Sequence, residues 1–156
     1  MAPALERQAQ AIPQILQYPT LETIAGTTDY ELLSGPGYAS SQSTSDTERI
    51  NKVMSFLMEK YTQEINLEEI ASLVHLNKSS FCRYFKSRTH KTCFQFLNEI
   101  RIAHACKLLI NSNITISEIC YEVGYNNISH FNRQFKLITS LTAREYVKKY
   151  LRSADY

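Results

Sequence analysis

One pattern occurs twice in this chain, and the repetition restricts the fold more than any other feature of the sequence. NLEEIASLVHLNKSSFCRYFK (residues 66–86) and TISEICYEVGYNNISHFNRQFK (residues 115–136) each read as a short helix, a tight turn and a second helix. In the later copy Thr115 and Glu118 form a capping box, whose hydroxyl and carboxylate satisfy backbone N–H groups of a first helical turn. Ile116, Ile119 and Val123 then recur at helical spacing, and Gly124, tolerant of positive φ, ends the helix in a tight turn. Asn126 or Asn127 can cap the helix that follows, whose Phe131 and Phe135 form an apolar i,i+4 pair. Ser129, Asn132, Arg133 and Lys136 fall together on the opposite side.

The earlier copy has the same grammar. Asn66 with Glu69 forms a capping box, Leu67, Ile70 and Val74 make the apolar set, and His75-Leu76-Asn77 makes the turn. Phe81 and Phe85 then point inward while Ser79, Cys82, Arg83 and Lys86 point outward. Ile70 and Val74 recur 49 residues later as Ile119 and Val123, whereas Phe81, Arg83, Phe85 and Lys86 recur 50 later as Phe131, Arg133, Phe135 and Lys136. The second turn is therefore one residue longer. A polar outer face on one short helix is ordinary solvated surface, but two such faces at the same phase call for a shared role.

The remaining segments are helical too. Ser45 with Glu48 is expected to cap a first helix running to about Tyr61, burying Ile50, Val53, Met54, Leu57 and Met58. Thr92 with Gln95 opens the longest helix, about 93–110, in which Phe94, Leu97, Ile100, Ile102, Ala103, Ala105, Leu108 and Leu109 cover much of the circumference. Such all-round apolarity points to burial between two subdomains and to a spacer role. Thr142 with Glu145 opens a last helix to about Tyr150, with Tyr146, Val147 and Tyr150 packing inward. No strand-period segment of useful length interrupts residues 46–150, so the expected class is all-α.

Composition separates the two ends of the chain. Residues 1–45 hold one Arg against four acids, which leaves sixteen Lys and Arg against eleven acids in the rest of a chain whose net charge is +2. The basic part is the part with the repeat, as phosphate binding requires. Two short helices at about 5–16 and 21–25 are too short to be stable alone, and the Gly, Pro, Ser and Thr of residues 34–45 read as a linker. No apolar run approaches the ~18 residues that span a bilayer, and the N-terminus lacks the basic start and apolar core of a secretory signal, so a cytoplasmic location is expected. Cys82, Cys93, Cys106 and Cys120 show neither CxxC pairs nor dense spacing, which fits reduced thiols used as small core residues.

The segments ISEICYEVGYNNISHFNRQFK, FLNEIRIAHACKLL and LEEIASLVHLNKSSFCRYFK together resemble the DNA-binding domain of the AraC/XylS family of bacterial transcription regulators. The likeness spans residues 46–150. It implies a seven-helix domain in which two helix-turn-helix subdomains, at 66–88 and 115–137, are joined by a long central helix, with residues 151–156 as a tail. It also implies that one helix of each motif enters successive major grooves of double-stranded DNA, and that the protein is an activator that recruits RNA polymerase. Larger family members place a sensor or dimerisation domain ahead of the linker, so the chain is either a fragment carrying the end of such a domain or a short stand-alone regulator. Glycine is usual in the family where this chain has His75, His90 and Ser140, and Ala143 stands where Pro is frequent. His is among the few non-glycine residues enriched at positive φ, so these turns are expected to persist with some strain.

Arg83 and Arg133 are the first candidates for reading DNA, because an exposed guanidinium can bond a guanine edge bidentately or clamp a phosphate. Ser79, Ser80 and Cys82 surround the first, and Ser129, His130 and Asn132 the second. Asn132 can read adenine, whereas Ser and Cys are too short to discriminate much alone. Ile128 either touches a thymine methyl or completes the core. Lys78, Lys86 and Lys136, with the capping ends at Asn126 and Asn127, suit phosphate. No metal, cofactor or catalytic role is expected: His104 and Cys106 diverge on one helix, and no phosphate loop, nucleophile elbow or paired carboxylates are recognisable. The competing reading is a helical protein-interaction module without DNA binding, for which the modest charge and short outward side chains argue.

Overall fold

The computed structural model describes the backbone of residues 39–151 and the side chains of residues 45–150. The two short helices expected before residue 39 lie outside these residues. Among the described residues the chain forms seven helices and no strand: α1 Ala39–Lys60, α2 Leu67–Leu73, α3 Lys78–Thr89, α4 Cys93–Asn111, α5 Ile116–Glu122, α6 Ile128–Thr139 and α7 Ala143–Leu151. They divide into two compact units, one of residues 39–60 and 65–93, the other of residues 61–64 and 94–151.

In the first unit Val53 and Leu57 of α1, Ile70 and Val74, and Phe81 and Phe85 of α3 are buried together as its core. The start of α1 differs from expectation. Ser45 and Glu48 lie within a helix that begins at Ala39, so they are not its cap and the expected linker overlaps the first turns. No Gly or Pro occurs after Gly37 to interrupt Ser40 to Thr47, and the modest propensities of Ser, Thr, Gln and Asp do not forbid a helix. Met58 is half exposed, because it sits at the edge of the stripe that Val53, Met54 and Leu57 bury. Asn66 caps α2 as expected, but through the N–H of Glu68 at 2.9 Å rather than that of Glu69.

The core of the second unit gathers Ile102, Ala105, Cys106 and Leu109 of α4 with Ile119, Val123, Tyr125, Phe131, Phe135 and Tyr146. Aromatic rings run through it at centroid separations of 5.5 Å for Tyr125 and Phe131, 5.6 Å for Phe131 and Phe135, and 5.5 Å for Phe135 and Tyr146. Each such pair adds ~0.5–1.5 kcal/mol beyond burial. Phe94 departs from expectation by standing half in solvent. Helical side chains lean toward the N-terminus, so a large residue in the first turn of α4 projects past the packed part of the helix. Two of the expected capping boxes form in full, Thr115 with Glu118 and Thr142 with Glu145.

The sequence repeat is a backbone repeat as well. His90 and Ser140 end α3 and α6 in the left-handed region at φ 58° and 62°, and each donates its N–H to a carbonyl 2.9 Å away, on Lys86 and Lys136 respectively. His75 and Gly124 end the first helices at φ 56° and 90°. All three substituted turns therefore keep the left-handed conformation for which glycine is the least strained residue.

Candidate nucleic-acid interface

An asparagine starts each second helix. The Oδ1 of Asn77 accepts the N–H of Ser80 at 2.8 Å, and the Oδ1 of Asn127 accepts those of Ser129 and His130 at 2.8 and 3.0 Å. The cap of α6 is thus Asn127, while Asn126 is exposed in the turn before it. Two fully buried phenylalanines fix the rotation of each helix, Phe81 and Phe85 in α3 and Phe131 and Phe135 in α6. With these rings inward, Ser79, Cys82, Arg83 and Lys86 are exposed on α3, and Ser129, His130, Asn132, Arg133 and Lys136 on α6. Ser80 is half-buried, as is Ile128, which packs against the second core.

The cations divide by whether a partner already holds them. Among the described residues Arg83, Arg133, Lys86 and Lys136 form no ion pair. By contrast, Arg88 is bonded to the carboxylate of Asp46, and Tyr84 donates its hydroxyl to the Asp46 carbonyl at 2.9 Å. Lys78 pairs with Glu68 at 2.9 Å. That hydrogen bond holds the Glu68 carboxyl below its ordinary pKa and raises the Lys78 ammonium above its own. Both side chains are exposed, so water competes for the bond.

The turn of the second motif is held by residues that no sequence pattern singled out. Tyr125, buried directly after Gly124, donates its hydroxyl to Asn98 Oδ1 at 2.8 Å. Arg101 lies 5.4 Å from the centre of the Tyr125 ring and donates from Nε to the carbonyl of Tyr61 at 2.7 Å and from Nη2 to that of Gln63 at 2.8 Å. His130 meets the Tyr125 ring edge-on, with centroids 5.4 Å apart and planes at 77°. The three hydrogen bonds span 27 to 40 positions of sequence, beyond the reach of helical periodicity. Burial pushes the Tyr125 hydroxyl well above its ordinary pKa, with Arg101 opposing, so it stays a donor to Asn98.

Cys82 is exposed, while burial pushes the Cys93 and Cys106 thiols up to about 12 and raises that of Cys120. Among the described residues no three His, Cys, Asp or Glu side chains converge into a metal-holding group, and no helix is long and apolar enough to cross a membrane.

A family model described as a helix-turn-helix domain matches residues 70–149, just over half the chain. An uncharacterised HTH-type transcriptional regulator of Bacillus subtilis, YdeC, is 31% identical over 100 residues, which are 64% of this chain and 34% of that protein. The HTH-type transcriptional activator RhaR of Mannheimia succiniciproducens is 29% identical over 108 residues, 69% of this chain and 39% of its own. The chain thus spans little more than a third of the length of these two relatives. Among solved structures, the DNA-binding domain of AdpA in complex with a target DNA superposes with a TM-score of 0.63 at 20% identity, covering 69% of this chain and 98% of that one. An AraC-type regulator from Chromobacterium violaceum gives 0.62 at 19% identity, with 69% and 96% covered. These likenesses establish the fold.

Proposed function

We propose, for a chain that belongs to the AraC/XylS family of helix-turn-helix regulators, sequence-specific binding of double-stranded DNA through α3 and α6. The observation that carries this reading is the matched pair of outer faces, each on an asparagine-capped helix rotated by two buried phenylalanines and each bearing, at the same register, an exposed arginine that forms no ion pair among the described residues. A recognition helix in the major groove presents side chains in this way to base edges. In the proposal the two helices enter successive major grooves of one duplex. Arg83 and Arg133 read guanine, Asn132 reads adenine, and Ser79, Ser80, Cys82, Ser129 and His130 line the remaining base edges.

Lys86 and Lys136, near the ends of their helices, with Lys78, Asn126 and the start of α6 at Asn127, meet phosphates. Lys78 reaches its phosphate by exchanging Glu68 for it. Activation by recruitment of RNA polymerase, in the cytoplasm, completes the proposal. RhaR, named a transcriptional activator, supports it, and so does the AdpA domain, which shares this fold and was solved with a target DNA.

The test is the affinity of the chain for duplex DNA against salt concentration. Neutralising three or more phosphates gives a line of log affinity on log salt with slope about −3 or steeper. A protein-interaction module gives no such line, and duplex binding that is undetectable at low salt refutes the proposal.

A further inference from the structure

Although the two reading faces share one register, their side chains are chemically unequal. Resting on the DNA-binding reading above, we infer that α6 carries most of the sequence discrimination and that Asn132 is its adenine-specifying residue, whereas α3 contributes little beyond Arg83. The repeat makes the comparison position by position. Ser79 corresponds to Ser129, Ser80 to His130, Cys82 to Asn132 and Arg83 to Arg133.

At the second of these positions α3 has a half-buried hydroxyl, while α6 has an exposed imidazole propped edge-on against the buried Tyr125 ring. Tyr125 is itself fixed by Asn98. An imidazole held this way loses less side-chain freedom on meeting DNA than a freely rotating one. At the third position α3 offers a thiol, a weak donor and weak acceptor, while α6 offers an amide with a donor and an acceptor side by side. Only the amide matches the paired N6–H donor and N7 acceptor of adenine. Asn132 and Arg133 are consecutive and so diverge by ~100° around the helix, which directs them to different bases. On α3, Lys78 is held by Glu68 and Lys86 lies toward the C-terminal end where it suits phosphate, which among the described residues leaves Arg83 as the long side chain placed to read an edge without exchanging a partner.

The inference concerns a property of the operator: a half-site under α6 specified at two or more neighbouring base pairs, one of them adenine, and a half-site under α3 specified at no more than one guanine. Selecting bound duplexes from a randomised pool with the intact chain, then sequencing them, measures this directly. Asn132→Ala is expected to weaken the selected duplex about tenfold and to remove the preference at one adenine, with the guanine preferences kept. Because Asn132 is exposed, the variant retains its fold, and an unchanged melting temperature verifies that.

The repeat also supplies a gain-of-function arm. Cys82→Asn places the α6 chemistry at the matching position of α3 and is expected to create a new adenine preference in the other half-site. Equal specification of both half-sites by the unaltered chain overturns the inference while leaving DNA binding intact, and so does an Asn132→Ala variant that weakens all sequences alike. Failure to retain any duplex at low salt overturns both this inference and the reading it rests on.

Discussion

Gly124→Ala is the substitution whose cost the structure defines most completely. The residue stands at φ +90°, and a Cβ built on it lies 2.7 Å from the Thr62 carbonyl oxygen, 2.8 Å from Thr62 Cα and 2.8 Å from the Tyr61 carbonyl oxygen. All three neighbours are backbone, so no side chain can rotate away. The left-handed conformation alone costs an L-residue ~1–2 kcal/mol, offset by ~0.4–1 kcal/mol because alanine restricts the unfolded chain. Relief of the contacts requires residues 61–62 to shift by several tenths of an ångström. Arg101 holds that segment through the Tyr61 and Gln63 carbonyls at 2.7 and 2.8 Å, and losing one charge-assisted bond costs ~1.5–3 kcal/mol. The sum is ~2–4 kcal/mol. At ~4 °C per kcal/mol for a domain of ~100 residues, the melting temperature is expected to fall by ~8–16 °C. Urea denaturation followed by circular dichroism, with the slope of the transition checked for constancy, measures it. A loss under ~0.5 kcal/mol refutes the reasoning, because it means that the 61–62 segment yields freely.

The other left-handed positions behave oppositely: His75→Gly, His90→Gly and Ser140→Gly are each expected to leave stability unchanged or raise it by up to ~1 kcal/mol in thermal melts, since strain at φ 56–62° is relieved. Phe135→Ala is expected to cost ~3–5 kcal/mol in denaturant unfolding, because it empties the centre of the aromatic series. His104, stacked on Tyr61 at 4.3 Å, has its pKa lowered from 6.5 by burial and then by Lys107. The unfolded chain therefore takes up the proton first, so the contribution of His104 is complete above about pH 6.5 and is lost as pH falls toward the folded pKa. Melting temperatures from pH 7.5 to 5.5 are expected to decline less steeply in His104→Phe, which keeps a ring on Tyr61. If α3 and α6 enter successive grooves, inserting about five base pairs between the half-sites turns one of them to the far side, and affinity falls to that of a single motif in a titration.

What the sequence disclosed about this fold is local in origin. The caps at Asn66, Thr115 and Thr142, the inward phenylalanine pairs and the turns at His75, Gly124, His90 and Ser140 each depend on residues within about four positions of one another, which periodicity and turn chemistry detect. The start of α1 was misplaced for a related reason: a serine-rich segment looks like a cap wherever an acid follows three residues on, yet Ser45 lies inside a continuous helix. The support of the candidate site was not legible. Arg101 reading carbonyls 38 and 40 residues away, Tyr125 bonded to Asn98, and Lys78 taken by Glu68 arise only once the chain is folded. The outward residues of α3 and α6 were legible because the inward ones were, as the two sets share one helical phase.

The central claim, that both outer faces contact DNA, is tested most directly by comparing Arg83→Ala, Arg133→Ala and the double variant with the unaltered chain on one selected duplex. Both side chains are exposed and, among the described residues, free of ion pairs, so their removal leaves the fold intact. Fluorescence anisotropy at fixed salt is expected to show each single variant weakened by ~1–3 kcal/mol and the double variant near the affinity for unrelated duplex. A double variant that binds the selected duplex as tightly as the unaltered chain contradicts the account.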